Sequence, residues 1–398
     1  MSATVSDHII VAAARRTPLG SFMGAFGGLP ATELGATAIR AALADAGIGG
    51  DQVSEVLMGC VLSAGLGQAP ARQAARGAGL PDATGATTVN KVCGSGMKAI
   101  MLGHDLLRAG SARIVMTGGM EAMSSAPFVL PNMRAGHKVG SAQVIDHMMN
   151  DGLEDAYDRG RPMGQFGEAA AERYGFTREA QDAYATETLD RARTAVESGA
   201  FDSECTPVTL QTRKGTRTVE RDERPLQIDP QKIPSLRSAF GERGTITAAS
   251  ASANADGAAA LVLTTAAIAA EQDMPVMGRI LGHASHAQDP AWFTTAPIPA
   301  IRKLLTQVGW SVDQVDLFEI NEAFAVVAMA AAQEIGIARD RLNVNGGACA
   351  LGHPIGATGA RIVVTLLHAL RARGLQRGIA CLCIGGGEAT AIAVEIVQ

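Results

Sequence analysis

Cys93 stands in TTVNKVCGSGMKA (residues 87–99), where a β-branched run gives way to a small-residue turn and then to helix-forming residues. A cysteine between a strand and a helix is placed as an acyl-accepting nucleophile would be. The turn presents the sulfur, and unpaired N–H groups at the helix entry can meet a carbonyl oxygen. The helix N-terminus favours an anion, so the thiol is expected to titrate below its usual value of about 8.5. Gly94 and Gly96 are expected to clear room for the carbonyl. Taken alone, Cys93 reads better as a small buried core residue. Gly94, Gly96 and Ala99 also fit the dinucleotide pattern GxGxxA, but no acidic residue ends the following RIVMTGG run, which argues against a nicotinamide dehydrogenase.

Three later stretches carry polar groups that a plain core does not need. FEINEAFA puts Asn321 and Glu322 where a strand meets a helix; on its own, Asn321 reads as a helix cap. NGGACALGHPIGATGAR sets His353 before Pro354 at a helix entry, in glycine-rich backbone without an obvious packing purpose. CLCIGGGEA runs Cys383 into three glycines whose N–H groups can face an anion. Two thiols and an imidazole suit acyl transfer through a thioester, coupled to making or breaking a carbon–carbon bond beside a carbonyl. One sulfur carries the acyl group, the imidazole moves its proton, and the second thiol moves a proton at the α-carbon. Two oxyanions arise, so two donor sets are expected: the N–H groups of Cys93 and Gly385, and His353 with a water held by Asn321.

The elements that must bring these groups together are legible as strand–helix alternation, which predicts a layered α/β fold. Strands are expected at 8–14, 53–61 and 113–117, and helices from an N-cap at Thr32 to a stop at Gly47, around 72–78, and over 97–108. A repeat organises the whole. AIR, Leu43, Gly47 and DQV in residues 38–53 recur at a constant spacing as AIR, Leu305, Gly309 and DQV in residues 300–315. VN at 89–90 answers VN at 344–345, and LRA at 107–109 answers LRA at 370–372. In this alignment Cys93 faces Ala348 and Cys383 faces Met116, so each copy lacks its partner's thiol. The predicted organisation is an N-terminal half over 1–123, completed by about 251–273, an inserted loop domain over 124–250, and a C-terminal half over 274–398. The insert contains a long helix capped by Thr177, and a charged piece, QTRKGTRTVERDER, that reads as a solvated hairpin.

These motifs, with VAAARRTPLGSF and TAASASANADGAAA, resemble the thiolase family over essentially the whole chain. The resemblance implies a thiolase fold: two duplicated halves, each a five-stranded mixed sheet with helices, plus an inserted loop domain. It implies an acetyl-CoA C-acyltransferase or C-acetyltransferase acting on coenzyme A thioesters, by condensation or by thiolysis of 3-ketoacyl-CoA, as in fatty acid metabolism and β-oxidation. It further implies a homotetramer built as a dimer of dimers. Carried over by position, Cys93 is the acylated nucleophile, His353 its base, Cys383 the second acid/base, Asn321 the water holder and Gly385 an oxyanion donor. Ser252, Ala248, Phe240, Met163 and Phe324 fall along the pantetheine tunnel, and Phe293 at the acyl end. Three departures stand out. Pro162 replaces the histidine of the covering loop in acetoacetyl-CoA-specific members, which points to a broader 3-ketoacyl range. DERPL puts Leu226 where the family's nucleotide-contacting arginine stands and Arg224 two residues earlier. Phe293 stands where specific members often have methionine.

The 398 residues are 47% hydrophobic and 18% charged with a formal net charge of -5, which argues against general nucleic-acid or membrane-surface binding. No apolar stretch is expected to span a membrane. Six scattered cysteines without a signal-like N-terminus suggest free thiols in the cytoplasm. Cys381 and Cys383 form a weak zinc signal, and neither a metal nor a permanently bound cofactor is expected. Two rivals are weighed. A decarboxylating condensing enzyme of the same fold lacks the second thiol, and a non-catalytic coenzyme A or lipid-binding paralogue would be expected to lose Cys93 or His353.

Overall fold

The computed structural model describes residues 8–397 except 213 and 214. Its first half runs β1 (Ile9–Arg16), α1 (Ala31–Ala46), β2 (Glu55–Gly59), α2 (Pro70–Gly77), β3 (Gly85–Val89), α3 (Ser95–Arg108) and β4 (Ile114–Ala122). After an insertion carrying α4 (Gly164–Tyr174) and α5 (Arg178–Glu197), the half closes with β5 (Ala255–Thr265). These strands lie in the order β3-β2-β4-β5-β1, parallel across the first three and antiparallel beyond. α1 begins behind Pro30 and not at a Thr32 cap, and stops where Gly47 turns left-handed.

The second half repeats this plan with β6 (Gly278–Ala287), α6 (Pro297–Val308), β7 (Leu317–Ile320), α7 (Ala325–Ile335), α8 (Ile355–Ala372), β8 (Arg377–Ile384) and β9 (Glu388–Glu395), ordered β7-β8-β9-β6. Its fifth strand is shortened to one parallel bridge between Phe318 and Leu342. Asn343 leaves the strand at φ 47°, and its amide stands in for the missing neighbour, accepting from the Ile320 N–H and donating to the Ile320 C=O, both at 2.9 Å. The duplication extends to the helix ends. Gly47 and Gly309 both turn left-handed, and in the next turn Gln52 and Gln314 reach back to the N–H groups of Gly49 and Ser311 at 2.8 and 2.9 Å. Strand register revises one alignment: Val56 pairs with Met116 as Phe318 pairs with Ile379, so the counterpart of Cys383 is Met120, not Met116.

The halves join where Ile9–Val11 pairs with Gly278–Ile280, and these nine strands, with a short strand at Gly20–Ser21 beside β5, form one ten-stranded sheet among the described residues. α1 and α2 cover the outer face of the first half and α6 and α7 that of the second, while α3 and α8 share the apolar core between them. Among the described residues α8 is the one helix long and apolar enough to cross a membrane, and it is buried in this core. A Cβ on Gly96 would stand 2.8 Å from the Ala360 nitrogen, and one on Gly359 would stand 2.5 Å from the Met97 nitrogen. Glycine therefore lets α3 and α8 meet backbone to backbone. Gly94 similarly makes room for Ile384, whose Cδ1 would lie 2.4 Å from an added Cβ. Both glycines serve contact between the halves.

The insertion is anchored by charge. Arg16 of β1 is fully buried and binds Asp222 bidentately at 2.7 and 2.8 Å and Glu204 at 2.5 Å; Glu223 accepts from the N–H groups of Ser21 and Ala25. Removing one partner of such a buried pair costs about 3–5 kcal/mol. Thr177 caps α5, and the charged piece forms a hairpin of Val208–Thr212 with Gly215–Val219, whose tip at 213–214 lies outside the described residues.

Candidate active site

β3 is a half-exposed edge strand, not a buried one, and the chain turns sharply between it and α3. The turn depends on Val92 at φ 46°, a left-handed conformation that costs a β-branched residue about 1–3 kcal/mol. Local hydrogen bonds hold it. The Val92 N–H donates to Asn90 Oδ1 at 3.0 Å, while Ser95 Oγ accepts from the Lys91 N–H at 2.8 Å and donates to the Val92 C=O at 2.7 Å. Cys93 is thereby lifted to partial exposure, whereas the other five cysteines are buried.

The backbone N–H groups of Gly385 and of Cys93 itself face the Cys93 sulfur, one from each half of the molecule. They favour the thiolate, but burial outweighs them and pushes the thiol up to about 11. The expected lowering by the helix terminus is therefore reversed: desolvation exceeds the pull of the dipole. Lys91 and Glu388 form an ion pair across the same seam, two residues before Cys93 and three after Gly385.

His353 enters from the second half. Its N–H donates to the Ala253 C=O at 2.8 Å, and Nδ1 lies 2.6 Å from Thr358 Oγ1, which itself donates to the Pro354 C=O at 2.9 Å. The hydroxyl proton is thus committed to Pro354, so Thr358 accepts from Nδ1–H, and Nε2 carries the free lone pair. Nε2 is buried and has no partner. Burial, with a smaller push from Arg361, lowers the imidazole to about 3, so the resting pair is a neutral imidazole and a neutral thiol. Ile355, two residues on, packs with Val92 and Cys93.

Cys383 is fully buried near the end of β8, close enough to Cys93 that each thiolate would disfavour the other. Asn321 follows β7, bound to the Cys381 C=O through its own N–H at 3.0 Å. α7 starts only at Ala325 behind Phe324, so Asn321 caps nothing. Both atoms of its buried amide lack partners, which leaves a donor and an acceptor for a water or substrate. The Ser252 N–H binds the Ala323 C=O at 3.0 Å beside the Ala253–His353 bond, so this segment fastens the Asn321 loop to the His353 loop.

Met163, Phe240, Phe293 and Phe324 belong to the same apolar cluster as Cys383, with Phe240 edge-on to Phe324 at 5.7 Å. The Met163 methyl lies 3.4 Å from where a Gly385 side chain would begin. Ala248 is exposed farther out, beside a cavity of about 220 Å³ that Arg224, Lys232 and Leu236 also line. The Arg224 Nε is buried without a partner, while Leu226 is 47% exposed.

Two supporting residues, Thr358 and Glu121, escape a reading of the sequence, and a third, Glu322, stands out there without a role. Thr358 orients the imidazole. Glu121 is fully buried and gathers the N–H groups of Val61, Leu62 and Gly356 at 3.0, 3.1 and 2.9 Å, tying the entry of α8 to the first half. Glu322 accepts from Tyr184, Thr188, Asn343 and the Cys349 N–H and binds α5 beneath the site. An acidic residue inside an otherwise apolar strand was the available signal for Glu121.

Comparison with known proteins agrees with this arrangement. The family model described as "Thiolase, N-terminal domain" matches residues 9–267, and "Thiolase, C-terminal domain" matches 274–396. Acetyl-CoA acetyltransferase of Pseudomonas aeruginosa is 47% identical, over 97% of this chain and 98% of its own length. The Schizosaccharomyces pombe enzyme of the same name is 46% identical over 99% and 100%. A crystal structure of a thiolase from Ascaris suum in complex with coenzyme A superposes with a TM-score of 0.92 at 40% identity, covering 98% of this chain and all of that one. Acetyl-CoA acetyltransferase of Bacillus anthracis gives 0.95 at 38% identity, covering 98% and 99%.

Proposed function

The chain belongs to the thiolase family, and we propose that its acyltransferase reaction runs through Cys93, His353 and Cys383. The carrying observation is that the Cys93 sulfur, faced by two backbone N–H groups, lies by a second thiol, and that the adjoining His353 loop offers an unpartnered imidazole nitrogen. His353 Nε2 takes the proton of Cys93 as the sulfur attacks the thioester carbonyl; the oxyanion accepts from Gly385 and Cys93, and coenzyme A leaves as its thiol. Cys383 passes its proton to His353 Nε2 and, as the thiolate, takes a proton from the α-carbon of a second thioester; the carbanion attacks the acyl-enzyme carbonyl, and Cys93 leaves as a thiolate that His353 reprotonates. The second oxyanion is met by protonated Nε2 and a water held by Asn321. Thiolysis is the same path reversed.

Coenzyme A thioesters are the substrates this reading requires, and the solved relative that holds coenzyme A supports them. Met163, Phe240, Phe293, Phe324 and Ser252 would line the acyl and pantetheine end, and Ala248 and Arg224 the outer end. Pro162 favours a broad 3-ketoacyl range; the relatives' name, with Phe293 buried against Cys383, favours the narrower acetoacetyl-CoA reaction. Rates of thiolysis from C4 to C16 decide between them. The family further supports a homotetramer, and the six unpaired cysteines a reducing cytoplasm. Incubation with acetyl-CoA and digestion should yield an acetylated peptide containing Cys93, absent in Cys93→Ala. Cys383→Ala should still acylate while bond formation falls by orders of magnitude. No adduct in the parent protein overturns the mechanism.

A further inference from the structure

Away from the reacting groups, His104 and Asp105 of α3 face His283 of β6 across the junction between the halves. Asp105 Oδ1 lies 3.1 Å from His104 Nδ1 and 2.9 Å from His283 Nε2, and the three ligand-type atoms all lie within 4.8 Å of one another. Around an ion held at about 2.1 Å in tetrahedral geometry, ligand atoms lie about 3.4 Å apart, so the two edges through Asp105 need to open by only a few tenths of an ångström. The third edge, between the two imidazole nitrogens, lies within 4.8 Å and closes by small ring rotations that the half-exposed Asp105 can follow. The imidazoles are mostly buried, with side chains 15% and 18% exposed, and meet edge to face at 4.9 Å, which limits their freedom before any ion arrives.

The cluster opens on a cleft of about 910 Å³ that His8, Arg108 and Arg279 also line. Arg108, one turn beyond His104 on α3, is the cation whose charge reaches the cluster, while Arg279 is engaged by Glu395 at 2.9 Å and by His8 Nδ1 at 2.9 Å. Two imidazoles and one carboxylate with open positions suit late first-row divalent ions and not magnesium or calcium, which take oxygen ligands.

We propose that His104, Asp105 and His283 form a binding site for a zinc-class divalent cation, one per chain, that staples α3 to β6. Cys93 sits in the turn two residues before α3, so the staple fixes the helix behind the nucleophile to a strand of the opposite half. It does not take part in the acyl transfer.

Chelator-treated, tag-free protein titrated with Co²⁺ should show a saturable d–d absorption of one ion per chain and a higher melting temperature at saturation. His283→Ala and, because it is exposed and conservative, Asp105→Asn should each weaken binding about tenfold or more and abolish the melting shift while leaving acyl transfer unchanged. A titration without saturation, a sulfur-to-cobalt charge-transfer band, or unaltered affinity in Asp105→Asn overturns the proposal.

Discussion

His353 Nδ1 and Thr358 Oγ1 stand 2.6 Å apart within one turn of the α8 entry, and this bond decides which ring nitrogen is free to act. Thr358→Val keeps the shape but removes the acceptor, and releases the ring to the wrong tautomer. The expected result is a loss of about 10²-fold in kcat with KM little changed, and recovery in Thr358→Ser. Steady-state kinetics of the three proteins check it.

The free enzyme holds Cys93 as a thiol with its titration raised to about 11, so its thiolate fraction at neutral pH lies below that of an ordinary cysteine. Alkylation by iodoacetamide should therefore be slow near pH 7 and rise about tenfold per pH unit well beyond pH 9. A plateau reached below pH 8 would contradict the structure.

Burial lowers His353 to about 3, whereas an unfolded histidine titrates near 6.5. Its folded value is depressed, so the unfolded chain takes up the proton first. The contribution of this group to stability is present above about 6.5 and lost as pH falls toward 3. Denaturation midpoints of the parent and His353→Gln should converge over that window.

Lys91 and Glu388 pin the turn that carries Cys93 to the turn that carries the Gly385 N–H. Lys91→Met or Glu388→Gln should lower kcat several-fold without a matching change in melting temperature, since a partly exposed pair adds little to stability. Restoration in the charge-swapped double variant is the informative readout.

Gly96→Ala places a methyl 2.8 Å from the Ala360 nitrogen and 3.0 Å from the Gly356 carbonyl oxygen, both backbone atoms that cannot step aside. A loss of about 1–3 kcal/mol in unfolding free energy is expected from this overpacking, measured by chemical denaturation. Unchanged stability would mean that the helices do not touch there.

Much of this site was readable before any coordinates. Cys93, His353, Cys383 and Asn321 sit at strand ends or helix entries, which motif and period reveal, and the 38–53 and 300–315 repeat announces that loops from two copies can meet. Thr358 looks like any small polar residue on a helix until the tilt of the imidazole beside it is known, and Glu121 shows only as an acid in an apolar strand because the N–H groups it gathers lie about 60 and 235 positions away. The purpose of Gly96 was hidden because the partner that needs its space, α8, lies some 260 positions along the chain. The raised pKa of Cys93 is hidden for a related reason: a helix terminus is local and visible, whereas desolvation is supplied by the whole fold. Met120 as the counterpart of Cys383 emerged only from strand register, since the glycines of RIVMTGG and CLCIGGG invite a slipped alignment.

The turn joining β8 to β9 is three glycines, Gly385–Gly387, whereas the equivalent strands β4 and β5 are joined by residues 123–254. A joint that short can hold a single peptide group immobile against a sulfur from the other copy, while its enlarged twin has the length to form a roof. On the proposed mechanism, duplication leaves one connection to the chemistry and gives the other the length to take part in recognition, so the two can change independently.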